Sequence, residues 1–252
     1  MTVQEALFRY ALRLGDNSLV LGHRNSEWCG HGPVLEEDIA QANIALDLIG
    51  QARNYLTYAG EVEDKGRSED ALAYLRGERE YLNVHLVELP KGDYARTIVR
   101  SFLFDAFHLP LQQALATGKD ERLKGIAEKA VKEVTYHLRH SSEWLVRFGD
   151  GTDESHRRAQ EALDDLWRYT GELFTPDEAE EVLAQAGIAP KLDTIRMEWS
   201  ATVDRVLKEA TLTRPADGWM ASGGKKGVHT EHLGPMLAEM QTLQRSYPGV
   251  EW

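Results

Sequence analysis

Long stretches of good helix formers, broken at intervals by glycine and proline, are the feature that most constrains the fold of this chain. Ala, Leu, Glu, Gln, Arg and Lys dominate these stretches, whereas Val and Ile are too sparse to build a sheet. The breaks predict four long helices at about residues 3–28, 34–59, 95–117 and 119–148. Shorter helices are expected at about residues 153–171, 176–187, 190–210 and 230–247. The sequence therefore predicts an all-α protein built on a four-helix bundle with additional C-terminal helices.

Apolar residues at helical spacing indicate which helix faces should be buried. The second predicted helix carries a wide apolar arc, and a helix of this kind is expected at the centre of a bundle. One stripe of that arc consists of Leu35, Ile39, Ala42, Leu46, Ile49, Leu56 and Ala59.

Three connecting segments carry local signals. Residues 81–94 are expected to be an extended connector, because the alternating apolar residues are closed at once by Pro90 and Gly92. The sequence from Thr175 to Glu178 has the capping-box pattern, with Pro176 suited to the first turn of a helix. The loop ASGGKKG, residues 221–227, is expected to be the most flexible part of the chain, either solvated or holding a phosphate with its two lysines.

Charge and cysteine content exclude several classes of protein. A net charge of −12 argues against nucleic acid and anionic membranes as partners. No apolar run approaches the roughly 20 residues of a membrane helix, and the N-terminal segment lacks the pattern of a signal peptide. The single cysteine, Cys29, suits a reducing compartment. We therefore expect a cytoplasmic protein.

The stretch VKEVTYHLRH, residues 131–140, raises the question of a metal site. Helical bundles that bind two irons use a Glu and a His three residues apart, but Val134 stands three residues before His137. Glu133, four residues before His137, is expected to point elsewhere. The apolar neighbours of His137 on the fourth predicted helix and of Asp105 on the third predict that both side chains face the interior. Asp105 and His137 either satisfy each other as a buried pair or form part of a metal site that needs further donors. Cys29 and His31 are a weaker candidate pair, because their loop offers no second pair of ligands.

Four stretches carry a resemblance to a known family: LGHRNSEWCGHGPVLEEDIAQANIALDLIGQARNYL, LVELPKGDYARTIVRSFLFDAF, KEVTYHLRHSSEWLVRFGDGT and GVHTEHLGPMLAEMQTLQRSYPG. In this order they resemble the PaaC family, the structural subunits of bacterial phenylacetyl-CoA epoxidase. The resemblance implies a single ferritin-like domain over residues 1–252. It also implies a fold shared with the catalytic di-iron subunit, PaaA.

Comparison with the iron ligands of PaaA implies that this chain retains only part of a metal shell. PaaA uses a Glu on its first helix, Glu-x-x-His on its second, Asp on its third and Glu-x-x-His on its fourth. The resemblance places those six ligand positions at Ser18, Leu48, Gln51, Asp105, Val134 and His137. Of these six residues, only Asp105 and His137 match the metal ligands of PaaA. We therefore expect no iron and no catalytic residue in this chain.

The function implied by the resemblance is that of a non-catalytic subunit in phenylacetate degradation. Its partners would be a PaaA-like di-iron subunit and a reductase, and the isolated chain could form a homodimer. The stripe of Met236, Met240 and Leu243 could meet the catalytic subunit or pack on its own bundle. Two alternatives are an active di-iron oxygenase with an unusual site that includes Glu133, and a generic helical binding module.

Overall fold

The computed structural model describes residues 1–250, and all regular structure in that part of the chain is helical. The α-helices are α1 (Val3–Ser26), α2 (Leu35–Glu63), α3 (Glu69–Tyr74), α4 (His85–Glu88), α5 (Tyr94–Leu115), α6 (Glu121–Gly149), α7 (Asp153–Trp167), α8 (Glu178–Ala186), α9 (Leu192–Glu209) and α10 (Leu233–Ser246). None of them combines the length and apolar character that would let a helix cross a membrane. The all-α prediction is confirmed, and the main helices end within a few residues of the predicted positions.

The four longest helices, α1, α2, α5 and α6, form the bundle. Helix α1 packs along α2 and α5 packs along α6, while α2 and α6 also meet. The later helices cover this core from outside, with α8 against α1 and both α7 and α9 against α5. One continuous apolar cluster joins the bundle to these outer helices. A ferritin-like bundle with additional C-terminal helices is therefore the architecture of the chain.

Two glycines bring α1 and α2 into close contact. A Cβ atom on Gly15 would lie 2.7 Å from Leu56 Cδ2, and one on Gly22 would lie 3.3 Å from the Ala45 carbonyl oxygen. The pairing of an early α1 residue with a late α2 residue, and the reverse, shows that the two helices are antiparallel. Their backbones approach closely because neither glycine carries a side chain.

The start of α8 differs from the prediction. Asp177, not Thr175, is the N-cap, and its side chain accepts a hydrogen bond from the Glu180 backbone N–H at 3.0 Å. The Glu180 carboxylate completes the capping box by accepting from the Asp177 N–H. Pro176 therefore precedes the helix, and Asp177 is further fixed by an ion pair with Arg13 of α1.

The expected extended connector at residues 81–94 is correct only in its first part. The chain is extended up to Val84, and then forms the single turn α4. Its backbone is held by α1, because Asp16 accepts from the Leu82 N–H and Asn17 accepts from the Val84 N–H, both at 2.9 Å. Asp16 and Asn17 can hold the connector because both lie within helix α1, which runs without a break from Val3 to Ser26.

The loop at residues 221–227 is anchored instead of solvated. Lys225 is buried, and its Nζ donates to the Thr175 carbonyl at 2.9 Å and to Glu180 at 3.0 Å. The Glu172 carboxylate accepts from the Gly223 N–H at 2.8 Å. The prediction was wrong because these anchoring carboxylates lie about 50 residues earlier in the chain.

The apolar arc of α2 is divided between core and solvent. Leu48 and Leu56 are buried, but Leu35, Ile39 and Leu46 are 72%, 52% and 65% exposed. Helix α2 therefore does not occupy the fully enclosed position that its wide apolar arc predicted.

Candidate functional site

The six positions of the predicted remnant shell all lie in the interior of the bundle. They are Ser18 of α1, Leu48 and Gln51 of α2, Asp105 of α5, and Val134 and His137 of α6. None of the six is more than 3% exposed. Each of the four bundle helices thus contributes at least one buried residue of the predicted set. Leu48 and Val134 contribute hydrocarbon.

His137 is hydrogen-bonded to an acid that the sequence did not single out. Its Nε2 lies 3.1 Å from Asp47 Oδ2, at the contact between α6 and α2. The Asp47 side chain is 38% exposed, whereas His137 is fully buried. The other ring nitrogen, Nδ1, is buried without a hydrogen-bond partner among the described residues. One end of the imidazole is therefore oriented by a carboxylate, and the other end lies in the core.

Asp105 is satisfied by a serine. Its Oδ2 accepts a hydrogen bond from Ser141 Oγ at 2.8 Å, and Ser141 stands one helical turn after His137 on α6. Burial raises the pKa of Asp105 to about 6, although the nearby His137 and the Ser141 hydroxyl act in the opposite direction. Asp105 and His137 interact through charge, but each takes its hydrogen bond from another residue. The two residues therefore do not satisfy each other as a hydrogen-bonded pair, which corrects that alternative of the sequence analysis.

A neutral chain of hydrogen bonds continues from the same face of α5. The Gln112 amide Nε2 donates to His108 Nε2 at 2.8 Å, and the Gln112 carbonyl accepts from the Tyr55 hydroxyl of α2. Burial lowers the pKa of His108 to about 3, with a further contribution from His137. The imidazole of His108 is therefore uncharged near neutral pH.

Glu133 points toward the bundle and not away from it, contrary to what its spacing from Val134 had indicated. Its Oε2 accepts from the Gln51 amide Nε2 at 2.9 Å, and its other oxygen lies 3.6 Å from Lys129 Nζ. A carboxylate four residues from His137 therefore lies beside the remnant position Gln51, held by an amide and a lysine.

These residues do not fit a di-iron centre. Such a centre needs four carboxylates and two histidines from four helices, with carboxylates bridging the metals. Leu48 and Val134 place apolar groups at two of the predicted positions, and Asp105 and His137 are engaged with separate partners. Within residues 1–250 no three His, Cys, Asp or Glu side chains come together as a metal site. In the exposed loop after α1, His31 Nδ1 lies 3.0 Å from the Cys29 carbonyl oxygen, and within residues 1–250 Cys29 and His31 belong to no group of three candidate ligands.

The fold and this centre together define a ferritin-like helical protein with a hydrogen-bonded polar network in its interior. The family described as phenylacetic acid catabolic protein matches the chain over residues 1–252, so the chain belongs to that family. It is similar to a 1,2-phenylacetyl-CoA epoxidase subunit of Escherichia coli (strain K12). The two are 52% identical over 246 residues, which cover 98% of this chain and 99% of that protein.

Proposed function

We propose that this protein is the structural, non-catalytic subunit of a phenylacetyl-CoA epoxidase complex in aerobic phenylacetate degradation. The observation that carries the proposal is the complete burial of two hydrocarbon side chains, Leu48 and Val134, at positions where the resemblance to PaaA implies bridging carboxylates. The full-length similarity to a phenylacetyl-CoA epoxidase subunit supports it. A carboxylate buried without a cation is costly, so a core that binds no metal is more stable with apolar residues there.

The partners in this proposal are a PaaA-like subunit that holds two irons and a separate reductase that delivers electrons from NADPH. The complex would use O2 to convert phenylacetyl-CoA into its ring 1,2-epoxide, with the chemistry confined to the di-iron subunit. The present chain would stabilise that subunit by binding only its folded form, which shifts its folding equilibrium by mass action. A cytoplasmic location accompanies this proposal.

Metal analysis of separated and combined subunits tests the proposal. The chain alone, reconstituted anaerobically with ferrous iron and desalted, is expected to retain no stoichiometric iron. The complex with the PaaA-like subunit is expected to form on co-expression and to carry its iron in that subunit. Two tightly held irons per chain, with O2 turnover by the isolated protein, would instead establish an active oxygenase. Failure to pair with the PaaA-like subunit would favour a generic binding module.

A further inference from the structure

Helix α2 presents an apolar stripe to solvent. Leu35, Ile39 and Leu46 are the exposed members, and the half-buried Ala42 lies between Ile39 and Leu46. The half-buried Ile49 ends the stripe at the contact with α1, where its Cγ1 would lie 3.1 Å from a Cβ on Gly22. The successive spacings of four, three, four and three residues keep all five on one side of the helix. At 1.5 Å per residue the stripe is about 21 Å long, or about four turns.

This exposure is unusual within the bundle. Among the described residues, the only other exposed large apolar side chains of α1, α2, α5 and α6 are Val3, in the first turn of α1, and Tyr136 on α6. Contiguous apolar surface on an otherwise well-packed protein marks a site of association. The alternation of steps of four and three is that of a seam between two helices, so the shape of the stripe fits another helix.

Three polar residues of α2 that flank the stripe are acidic. Glu36 and Asp38 lie beside its first turn, and Asp47 lies beside Leu46. None of the three forms an ion pair with a lysine or arginine within residues 1–250. Asp38 accepts from the Gly32 N–H, and Asp47 is bonded to His137. The stripe is thus an apolar surface with three acidic residues along its border, while the exposed Asn43 beside it is neutral and Arg53, one turn beyond Ile49, is paired with Glu69.

That border argues against a second copy of this chain as the occupant. Two antiparallel α2 helices centred on Ala42 would bring Asp47 of one copy close to Glu36 and Asp38 of the other. A parallel pair would place each of these carboxylates beside its own counterpart. Either arrangement sets like charges against each other at the edge of an apolar contact, which is unfavourable. The complementary partner is a different chain that presents an apolar helix face bordered by lysine or arginine.

The C-terminal stripe offers less surface than α2 does. Met236 is 8% exposed and belongs to the apolar cluster of the chain, and Met240 is partly buried against that cluster. Only Leu243, at 54%, remains exposed. This stripe is therefore largely used in packing α10 on its own bundle.

We propose that the outer face of α2, from Leu35 to Ile49, docks a basic-edged apolar helix of the di-iron catalytic subunit. This rests on the function proposed above and specifies the surface that serves it. A stable heteromeric interface buries about 800 Å² on each side, so the α2 stripe forms the apolar centre of a wider contact.

Charge substitutions in the stripe test the docking face. Ile39→Glu and Leu46→Glu should each weaken binding to the co-expressed catalytic subunit at least about tenfold, because each places a charge in the apolar centre. The melting temperature of the isolated variants should stay close to that of the parent, since both sites are exposed. The matched control is Met197→Glu on α9, where the methionine is 67% exposed on another face and the affinity should not change.

A second variant tests the sign of the border. Glu36→Lys should weaken the complex at low salt, and the difference should shrink in high salt as the charges are screened. Tighter binding by Glu36→Lys would mean that the partner's border is acidic, and would contradict the proposal.

The outcomes separate the two proposals. If the parent chain does not bind the catalytic subunit, the structural role fails and the docking face fails with it. If the parent binds and Ile39→Glu and Leu46→Glu bind equally well, the role stands but the face is wrong. If sedimentation shows a parent homodimer that these substitutions dissociate, without loss of heteromeric affinity, the stripe is a contact between copies of this chain.

Discussion

Asp105 keeps a carboxyl group in the core with the Ser141 hydroxyl as its hydrogen-bond donor. Its pKa in the folded protein is about 6, against 3.8 for an ordinary aspartate. A pKa raised by folding means that the folded state binds the proton more tightly. The stabilisation from this group is therefore complete below about pH 3.8 and is lost as the pH rises through about 6.

Replacing Asp105 with asparagine should remove this pH dependence. The free energy of unfolding of Asp105→Asn, relative to that of the parent, is expected to increase by about 2–3 kcal/mol between pH 4 and pH 7. Denaturant unfolding at a series of pH values measures the difference. The exposed substitution Asp150→Asn serves as the control and should follow the parent. Parallel curves for Asp105→Asn and the parent would show that the carboxyl is not buried as described.

Leu48 provides a test of the apolar centre. Leu48→Glu should lower the free energy of unfolding by about 3–5 kcal/mol, because a carboxylate would be buried without a partner. Addition of ferrous iron should not restore it. Leu46→Glu, two residues earlier on the same helix but 65% exposed, should melt near the parent temperature. Equal melting temperatures for the two variants would place Leu48 outside the core.

The polar network shows which single residues of the site could be predicted from the sequence and which could not. Asp105 and His137 could be found because each lies at helical spacing among apolar neighbours. Asp47 and His108 were missed, although signals for both exist. Asp47 and Gln51 are four residues apart on α2, and Glu133 and His137 are four residues apart on α6. Across the contact between these helices, Asp47 bonds to His137 and Gln51 bonds to Glu133. His108 continues the face of Asp105 after three residues, but only the fold shows which of its neighbours it meets.

At the scale of elements, two glycines within helices should respond oppositely to alanine. Gly15→Ala places a methyl group 2.7 Å from Leu56 Cδ2 at the α1–α2 contact, and should destabilise the protein by about 1–3 kcal/mol. Gly125→Ala, at an exposed position of α6, meets no atom within 4 Å, and should stabilise it by about 0.5–1 kcal/mol through helix propensity. Thermal unfolding of the two variants measures both effects. Stabilisation by both substitutions would contradict the close approach of α1 to α2.

Helix positions were predictable because their signals are local, whereas burial depends on neighbours that sequence spacing does not identify. Helix α5 begins after Asp93 and α6 after Asp120, and both aspartates cap the helix that follows them. The apolar stripe from Leu35 to Ile49 has the spacing of a buried face, yet its outer members are exposed within the described part of the chain. Periodicity shows that a face is suited to burial, but not whether this chain or another one covers it.

At the scale of the whole molecule, the loop at residues 221–227 joins the outer helices to the bundle. Its lysines and glycines look like a protease site, but Glu172 accepts hydrogen bonds from the Gly223, Lys225 and His85 N–H groups. We therefore expect trypsin to cleave slowly there under native conditions. Glu172→Ala should expose this loop to cleavage, whereas Glu181→Ala, at an exposed position on α8, should not.

Mass spectrometry of the early fragments locates the cut. Rapid first cleavage of the parent protein after Lys226 would show that the loop moves freely despite these contacts. Protection in both the parent and Glu172→Ala would show that Glu172 is not the anchor.

The glycine contacts between α1 and α2 also bear on how the protein opens. The Leu56 side chain packs against Gly15 and the Ala45 carbonyl packs near Gly22, so sliding of one helix along the other would first require the two helices to separate. Their central amide hydrogens should therefore exchange with solvent in one cooperative event, with a common opening free energy. A partner helix bound to the outer face of α2 would then slow the exchange of amide hydrogens in α1 as well, although no residue of α1 belongs to the proposed docking stripe.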